Sequence, residues 1–326
     1  MNITIRPRRL RNSEALRRLT HETRVSAESL VYPLFAVEGS GIVSAIESMP
    51  GQYRYSPDEI CAKAADCIAA GVDKLLLFGV PKHKDGEGSG AWDDDGVTQN
   101  ALRSLKANFP KLLLIADVCL CEYTAHGHCG AIKNGELDND ATLELLGRTA
   151  VSLAKAGADI VAPSAMCDGQ IAAVRAALDA EGFSRIPVMS YAVKYASAFY
   201  GPFRTAAASA PKFGGRGTYQ MDYGNSREAL KEAALDVSEG ADILMVKPAL
   251  AYMDVIAKVK AASNLPLAAY SVSGEYSMIK AAAKAAYGDE YALMLETAAG
   301  VYRAGADILI SYFAPELANA VRRGDL

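Results

Sequence analysis

Eight short apolar runs punctuate the chain, at residues 30–37, 74–80, 112–120, 158–163, 186–193, 241–246, 265–272 and 306–313. Each has the length of a strand and is apolar at successive positions, so each predicts a strand covered on both faces. Alanine-rich stretches separate them, long enough to hold the crossover helix that parallel strands require. This alternation predicts an α/β fold, a (β/α)8 TIM barrel; a doubly wound open sheet is the alternative. A short recurrence favours the barrel. Ala-Gly-Val-Asp (70–73), Ala-Gly-Ala-Asp (156–159), Gly-Ala-Asp (240–242) and Ala-Gly-Ala-Asp (304–307) each precede an apolar run. The glycine suits a helix C-terminus and the aspartate a tight turn into the strand. The expected organisation is an extended N-terminal arm over 1–25 and one barrel domain over 26–326.

The arm carries seven arginines between Arg6 and Arg24 and little apolar periodicity. It lacks the interleaved aromatics of a nucleic-acid surface, and a net charge of −4 leaves the chain without a basic field for nucleic acid or anionic lipid. No apolar span of ~20 residues predicts a membrane helix, and the N-terminus lacks a secretory layout, so a cytoplasmic location is expected. Six cysteines in such a chain point to metal or catalysis rather than disulfides. Cys61 and Cys67 lie in an alanine-rich helical stretch and read as structural.

Barrel chemistry gathers at strand C-termini, and the residues closing the runs are reactive ones. Lys194 closes Met-Ser-Tyr-Ala-Val-Lys (189–194) and Lys247 closes Leu-Met-Val-Lys (244–247) on the adjacent predicted strand. A single such lysine could snorkel to solvent or pair with a carboxylate. Two facing each other repel and are desolvated, which favours a neutral amine able to attack a ketone and form an iminium. The segment Asp-Val-Cys-Leu-Cys-Glu-Tyr-Thr-Ala-His-Gly-His-Cys-Gly (117–130) places Cys119 and Cys121 two apart. On an extended strand both thiols face one side, and Cys129 returns after a glycine-bearing loop. Three sulfurs suit zinc with an open fourth position, although His126 or His128 could fill it. Arg204, in the loop after the fifth run, and Arg216, in Gly-Gly-Arg-Gly (214–217), could bind carboxylates. Asp-Gly-Glu-Gly-Ser-Gly (85–90), with Trp92, reads as a mobile lid or surface loop, not a dinucleotide loop.

Taken together with Tyr-Pro-Leu-Phe (32–35), Ala-Pro-Ser (162–164), Met189 to Arg204, Tyr-Gln (219–220), Met-Val-Lys-Pro (245–248), Ser-Gly-Glu-Tyr (273–276) and Ser-Tyr-Phe (311–313), these segments resemble the porphobilinogen synthase (5-aminolevulinate dehydratase) family along nearly the whole chain. The resemblance implies a lyase that condenses two 5-aminolevulinate molecules to porphobilinogen with loss of two waters, in tetrapyrrole (heme) biosynthesis. It implies a Schiff base at Lys247 with Lys194 assisting. It also implies that Arg204, Arg216 and Gln220 hold one substrate and Ser273 and Tyr312 the other's carboxylate. Cys119, Cys121 and Cys129 match the zinc ligands of the cysteine-rich branch. Glu232 matches a glutamate that binds stimulatory magnesium in some members. The family is usually a homo-octamer whose arm embraces a neighbour. The chain departs from the pattern at Gly217, often basic, and at Ala165, often acidic or an amide.

Three other readings compete. A lysine aldolase would leave the cysteines idle, and a zinc hydrolase would leave the lysines idle. A non-catalytic zinc scaffold would require a fourth, closing ligand and would unfold on chelation.

Overall fold

The structure, a computed structural model, describes residues 3–326. Strands form at all eight apolar runs: β1 (Leu30–Val37), β2 (Lys74–Val80), β3 (Leu113–Val118), β4 (Ile160–Pro163), β5 (Met189–Lys194), β6 (Ile243–Lys247), β7 (Leu267–Ser271) and β8 (Ile308–Ser311). All pair in parallel, in the order β4-β3-β2-β1-β8-β7-β6-β5. A bridge between Val161 and Val188 brings the two outer strands together. The result is a nearly closed eight-stranded barrel with its helices outside, as the alternation predicts, rather than an open doubly wound sheet. Every residue of β4 and β5 is buried, which explains their continuous apolar sequence.

The recurrent Gly-x-Asp does more than turn the chain. Gly71, Gly157, Gly240 and Gly305 all adopt positive φ, at 100°, 107°, 102° and 115°, and end the preceding helix. Three of the aspartates then stitch neighbouring strands. The Asp159, Asp242 and Asp307 carboxylates accept from the backbone N–H of Leu114, Val188 and Leu267 at 2.7, 2.8 and 2.8 Å. Each captures a donor at the bottom of the barrel that the ladder would leave unpaired.

Two features lay outside the pattern of runs. A hairpin of Val43–Ala45 and Tyr53–Tyr55 is inserted after β1, and its second strand adds to β1 with Phe35 opposite Arg54. The segment after β5 is also not the loop expected around Arg204. Ser197 Oγ accepts from Phe199 N and starts a turn that leads into the helix Gly201–Ala206, with Pro202 in its first turn. Arg204 therefore stands on a short helix.

At the N-terminus a 3-10 turn (Pro7–Arg11) and a helix (Glu14–Leu19) have no buried residues, and Ile5 and Leu19 are 84% and 75% exposed. Residues 1 and 2 of the expected arm lie outside the described residues. Among the described residues no helix is long and apolar enough to cross a membrane.

Candidate active site

Lys194 and Lys247 end adjacent strands and are direct register partners. Both are 5% exposed. Their neighbours depend on an irregularity in β5. Ser190 pairs with Leu244, but Val193 pairs with Val246, so β5 carries one extra residue at Tyr191–Ala192. This bulge lets Tyr191 and Lys194, three apart, meet on one side, with Lys194 Nζ 5.4 Å from the Tyr191 ring. Lys247 Nζ sits among five rings: Tyr270 at 4.1 Å, Tyr191 at 5.1 Å, Phe203 at 5.2 Å, Tyr200 at 5.4 Å and Phe78 at 5.9 Å. Burial, helped by the Lys194 charge, brings its amine from an ordinary 10.5 down to about 7. Lys194 Nζ instead donates to the Ser164 carbonyl.

Asp117 stands across from the lysines at the end of β3. Its Oδ2 accepts from Ser164 Oγ at 3.0 Å, while its Oδ1 is buried without a protein partner. Burial, reinforced by Glu122, raises its carboxyl to about 7 against the pull of the two lysines.

The three cysteines come together, though not by the expected geometry. β3 ends at Val118, and Leu120 opens a turn in which its carbonyl accepts from Tyr123 N and Thr124 N at 2.9 and 2.8 Å. Cys119 and Cys121 thus share no extended strand, yet their sulfurs lie 3.4 Å apart. Cys129 joins them through close loop packing. Gly127 has φ 74° and lies so near Ala210 that a Cβ would fall 2.4 Å from the Ala210 carbonyl oxygen. A Cβ on Gly130 would fall 2.2 Å from Thr142 Oγ1. All three sulfurs lie within 4.8 Å of one another and are buried. Tetrahedral zinc with bonds of about 2.3 Å sets sulfurs about 3.8 Å apart, so the cluster fits such an ion. Hydrogen bonds from Cys119 and Cys121 hold the Cys129 thiol well below its ordinary value, favouring a thiolate there.

Neither histidine belongs to this cluster. His126 Nε2 lies 3.1 Å from the Gly86 carbonyl, and His128 binds Tyr219 Oη and the Phe213 carbonyl at 3.1 and 3.0 Å. They tie the cysteine loop to its neighbours. The segment at 85–90 is likewise no free lid. The Asp85 carboxylate accepts from its own backbone at Glu87 and Ser89, and the Asp85 carbonyl accepts from Ala125 N at 2.6 Å.

Of the other expected site residues, Arg216 is buried, and its Nη2 donates to the carbonyls of Gly127 and Ser209 at 2.9 and 2.7 Å. Its Nε, the Nε of Arg204 and both amide atoms of Gln220 are buried without protein partners. Buried atoms without partners are what a polar ligand would satisfy. Ser273 Oγ accepts from Phe203 N at 2.9 Å, and Tyr312 Oη lies 3.2 Å from Tyr270 Oη, so each touches a residue whose ring faces the Lys247 amine. Glu232 is elsewhere, half-buried on the outer helix Arg227–Glu239, where burial and then Asp168 and Glu228 raise its carboxyl.

Lys194, Lys247, Asp117, Cys121, Glu122 and Arg216 line one cavity of about 10 Å³. That is room for roughly one water. Phe203, on the helix Gly201–Ala206, covers it and packs on Phe78 and Phe35 at 5.0 and 5.6 Å.

The family model described as delta-aminolevulinic acid dehydratase matches residues 4–320. The chain is 56% identical to the delta-aminolevulinic acid dehydratase of Synechococcus elongatus, over 97% of this chain and 98% of that one. It is 52% identical to the enzyme of the same name from Bacillus subtilis, over 96% and 97%. Its fold is similar to the crystal structure of delta-aminolevulinic acid dehydratase (porphobilinogen synthase) from Toxoplasma gondii in complex with the reaction product porphobilinogen. That match has a TM-score of 0.95 and 44% identity, covering 97% of this chain and 91% of that one.

Proposed function

The chain belongs to the delta-aminolevulinic acid dehydratase family, hydro-lyases that join two 5-aminolevulinate molecules into porphobilinogen with loss of two waters, and we propose that Lys247 carries the reaction as an iminium. The observation that carries this reading is the pairing of Lys247 with Lys194 in one buried cavity that the cysteine cluster also borders. With its amine near 7, Lys247 is substantially neutral at neutral pH and can attack the ketone carbon of one substrate. The ketone oxygen leaves as the first water, and the iminium nitrogen then draws electrons from the adjacent carbon. Loss of a proton from that carbon allows a carbon–carbon bond to the second substrate. The second substrate's ketone carbon, attacked in that step, sheds its oxygen as the second water, and that substrate's amine closes onto the iminium carbon and releases Lys247. Asp117 Oδ1, unpartnered and on a carboxyl near 7, is placed to hold a proton during these transfers. Lys194 assists beside it.

The unpartnered donors of Arg204, Arg216 and Gln220 suit the carboxylate of one substrate, and Ser273 with Tyr312 suits the other. Ser273 can keep Phe203 N and turn its hydroxyl hydrogen from the Phe199 carbonyl to the carboxylate, but the cavity must widen, which implies movement of the covering helix. Cys119, Cys121 and Cys129 would hold zinc, which when bound supplies a Lewis acid toward the second substrate's carbonyl. Glu232, with acidic neighbours Asp168 and Glu228, is the proposed place for a stimulatory magnesium. The exposed Ile5 and Leu19 support an arm that packs on a neighbouring subunit in a homo-octamer.

The test is pyrrole formation from 5-aminolevulinate by the reduced protein, with and without zinc after chelation, alongside borohydride trapping. Zinc-restored product and label on Lys247, lost in Lys247→Ala, are expected. Trapping at another lysine would overturn the assignment, and activity indifferent to zinc would overturn the metal.

A further inference from the structure

Glu275 is a carboxylate with an unusual place in this fold. It is 1% exposed, and among the described residues no cation pairs with it. Burying a carboxylate so deeply is costly unless hydrogen bonds replace its water. Here three backbone donors do so, and they come from two elements. Glu275 is the third residue of the helix Ser273–Lys284, and its Oε2 accepts from Val272 N, just before that helix, at 2.7 Å. Its Oε1 accepts from Ala249 N at 3.1 Å and Leu250 N at 2.6 Å.

The second pair of bonds matters most. Ala249 and Leu250 follow Lys247 immediately, and the intervening Pro248 has no N–H to give. The first two backbone donors after the reactive lysine therefore end on one oxygen. The Lys247 carbonyl is held as well, by Tyr195 N and Tyr200 Oη at 3.0 Å each. The helix end that Glu275 caps also reaches the cover. Ser273 Oγ accepts from Phe203 N, and Gly274 lies so close to Phe199 that a Cβ there would be 2.4 Å from its carbonyl oxygen.

We propose that Glu275 is a positioning residue: by joining the backbone after Lys247 to the helix that carries Ser273, it sets where the Lys247 amine meets the substrate ketone. The proposal rests on Lys247 forming the iminium. A plain helix cap would need only the Val272 bond. The two bonds across to Ala249 and Leu250 are what a cap has no use for.

The experiment is single-turnover borohydride trapping at saturating 5-aminolevulinate, on zinc-loaded wild type, Glu275→Gln and Glu275→Asp. Glutamine keeps an oxygen for the loop but sets an amide N–H against Val272 N–H. Aspartate keeps the charge but is one methylene too short to span both elements, and it serves should the glutamine variant fold poorly. Each variant is expected to keep its zinc and its near-UV dichroism while the trapping rate constant falls by about 10- to 100-fold, the scale of a misplaced reacting group. A folded variant that melts earlier yet traps at the wild-type rate would reduce Glu275 to a stabilising cap and overturn the proposal. Failure of the wild type itself to label Lys247 would strike the iminium reading instead, so the two failures are separable.

Discussion

Replacing Phe203 with alanine should move the pH dependence of iminium formation upward. The displacement of Lys247 from 10.5 to about 7 corresponds to about 5 kcal/mol in favour of the neutral amine, with burial the larger cause and Lys194 the next. Phe203 is one of the five rings around Nζ, and it is borne by the covering helix, whose Gly201 and Thr205 face solvent. Its loss has two opposed effects. The ammonium forfeits one aromatic face, worth about 0.5–1 kcal/mol at this range. Water admitted from one side restores about 1.5–2 kcal/mol of hydration, a third of the total. Hydration wins by about 1 kcal/mol, which raises the midpoint by roughly 0.7 of a pH unit. At pH 7 the neutral fraction then falls from about one half to about one sixth, so trapping slows about threefold. Near pH 9.5 the two proteins converge. The assay is the borohydride trapping rate between pH 6 and 9.5, taken below the melting transition because losing a buried Phe costs about 3–5 kcal/mol where the cover is closed. A midpoint that stays put or moves down would refute the claim that burial by the cover keeps Lys247 neutral.

Three further outcomes follow from the same geometry. Cys129→Ser replaces the sulfur most ready to ionise and should abolish zinc retention in equilibrium dialysis; unchanged stoichiometry would remove Cys129 from the donor set. Arg216→Lys cannot bridge the Gly127 and Ser209 carbonyls and still offer a donor to substrate, so KM should rise about tenfold, or about 1.4 kcal/mol, with iminium trapping at saturation preserved. An unchanged KM would count against its role. Gly127→Ala puts a Cβ 2.4 Å from the Ala210 carbonyl oxygen on a backbone at φ 74° and should lower stability by about 1–3 kcal/mol in thermal melts while weakening zinc binding; a neutral substitution would mean that the cysteine loop does not depend on this contact.

The strands were legible because most of their residues are buried, those of β4 and β5 throughout, so polar residues such as Asp117 and Ser190 interrupt the runs only singly. The reactive residues were legible because a barrel puts the residue after each run at one end. What escaped was side-chain direction. Strict alternation sets Tyr191 and Lys194 on opposite faces, and only the extra residue in β5 brings them together. The same rule placed Cys119 and Cys121 on one face of a strand that in fact stops at Val118, and a turn achieved the meeting instead. The ring cage around Lys247 could have been suspected from Tyr191 and Tyr270, both within apolar runs, but Tyr200 and Phe203 arrive from a 3-10 turn and a short helix where the sequence suggested loop. Asp117 was in view within the cysteine segment. Its significance lies in Oδ1 having no protein partner, which no sequence pattern encodes.

In the proposed reaction, the preference for Lys247 over Lys194 as the nucleophile rests on backbone more than on side-chain identity. The two are register partners with equal exposure, so symmetry alone would not separate them. Lys194 has a carbonyl oxygen, that of Ser164, toward which an ammonium N–H can point. Lys247 Nζ instead faces rings, which attract an ammonium more weakly than its lost water did, and the pull of Asp117 and Glu122 only partly offsets that loss. The charge of Lys194 then adds to the penalty on its neighbour. One lysine thus supplies part of the field that frees the other's lone pair, and the Ser164 carbonyl at the end of β4 determines which is which. Asp117, bound to the Ser164 hydroxyl and within 4.8 Å of the Cys119 sulfur, links that choice to the cysteine cluster beside the cavity.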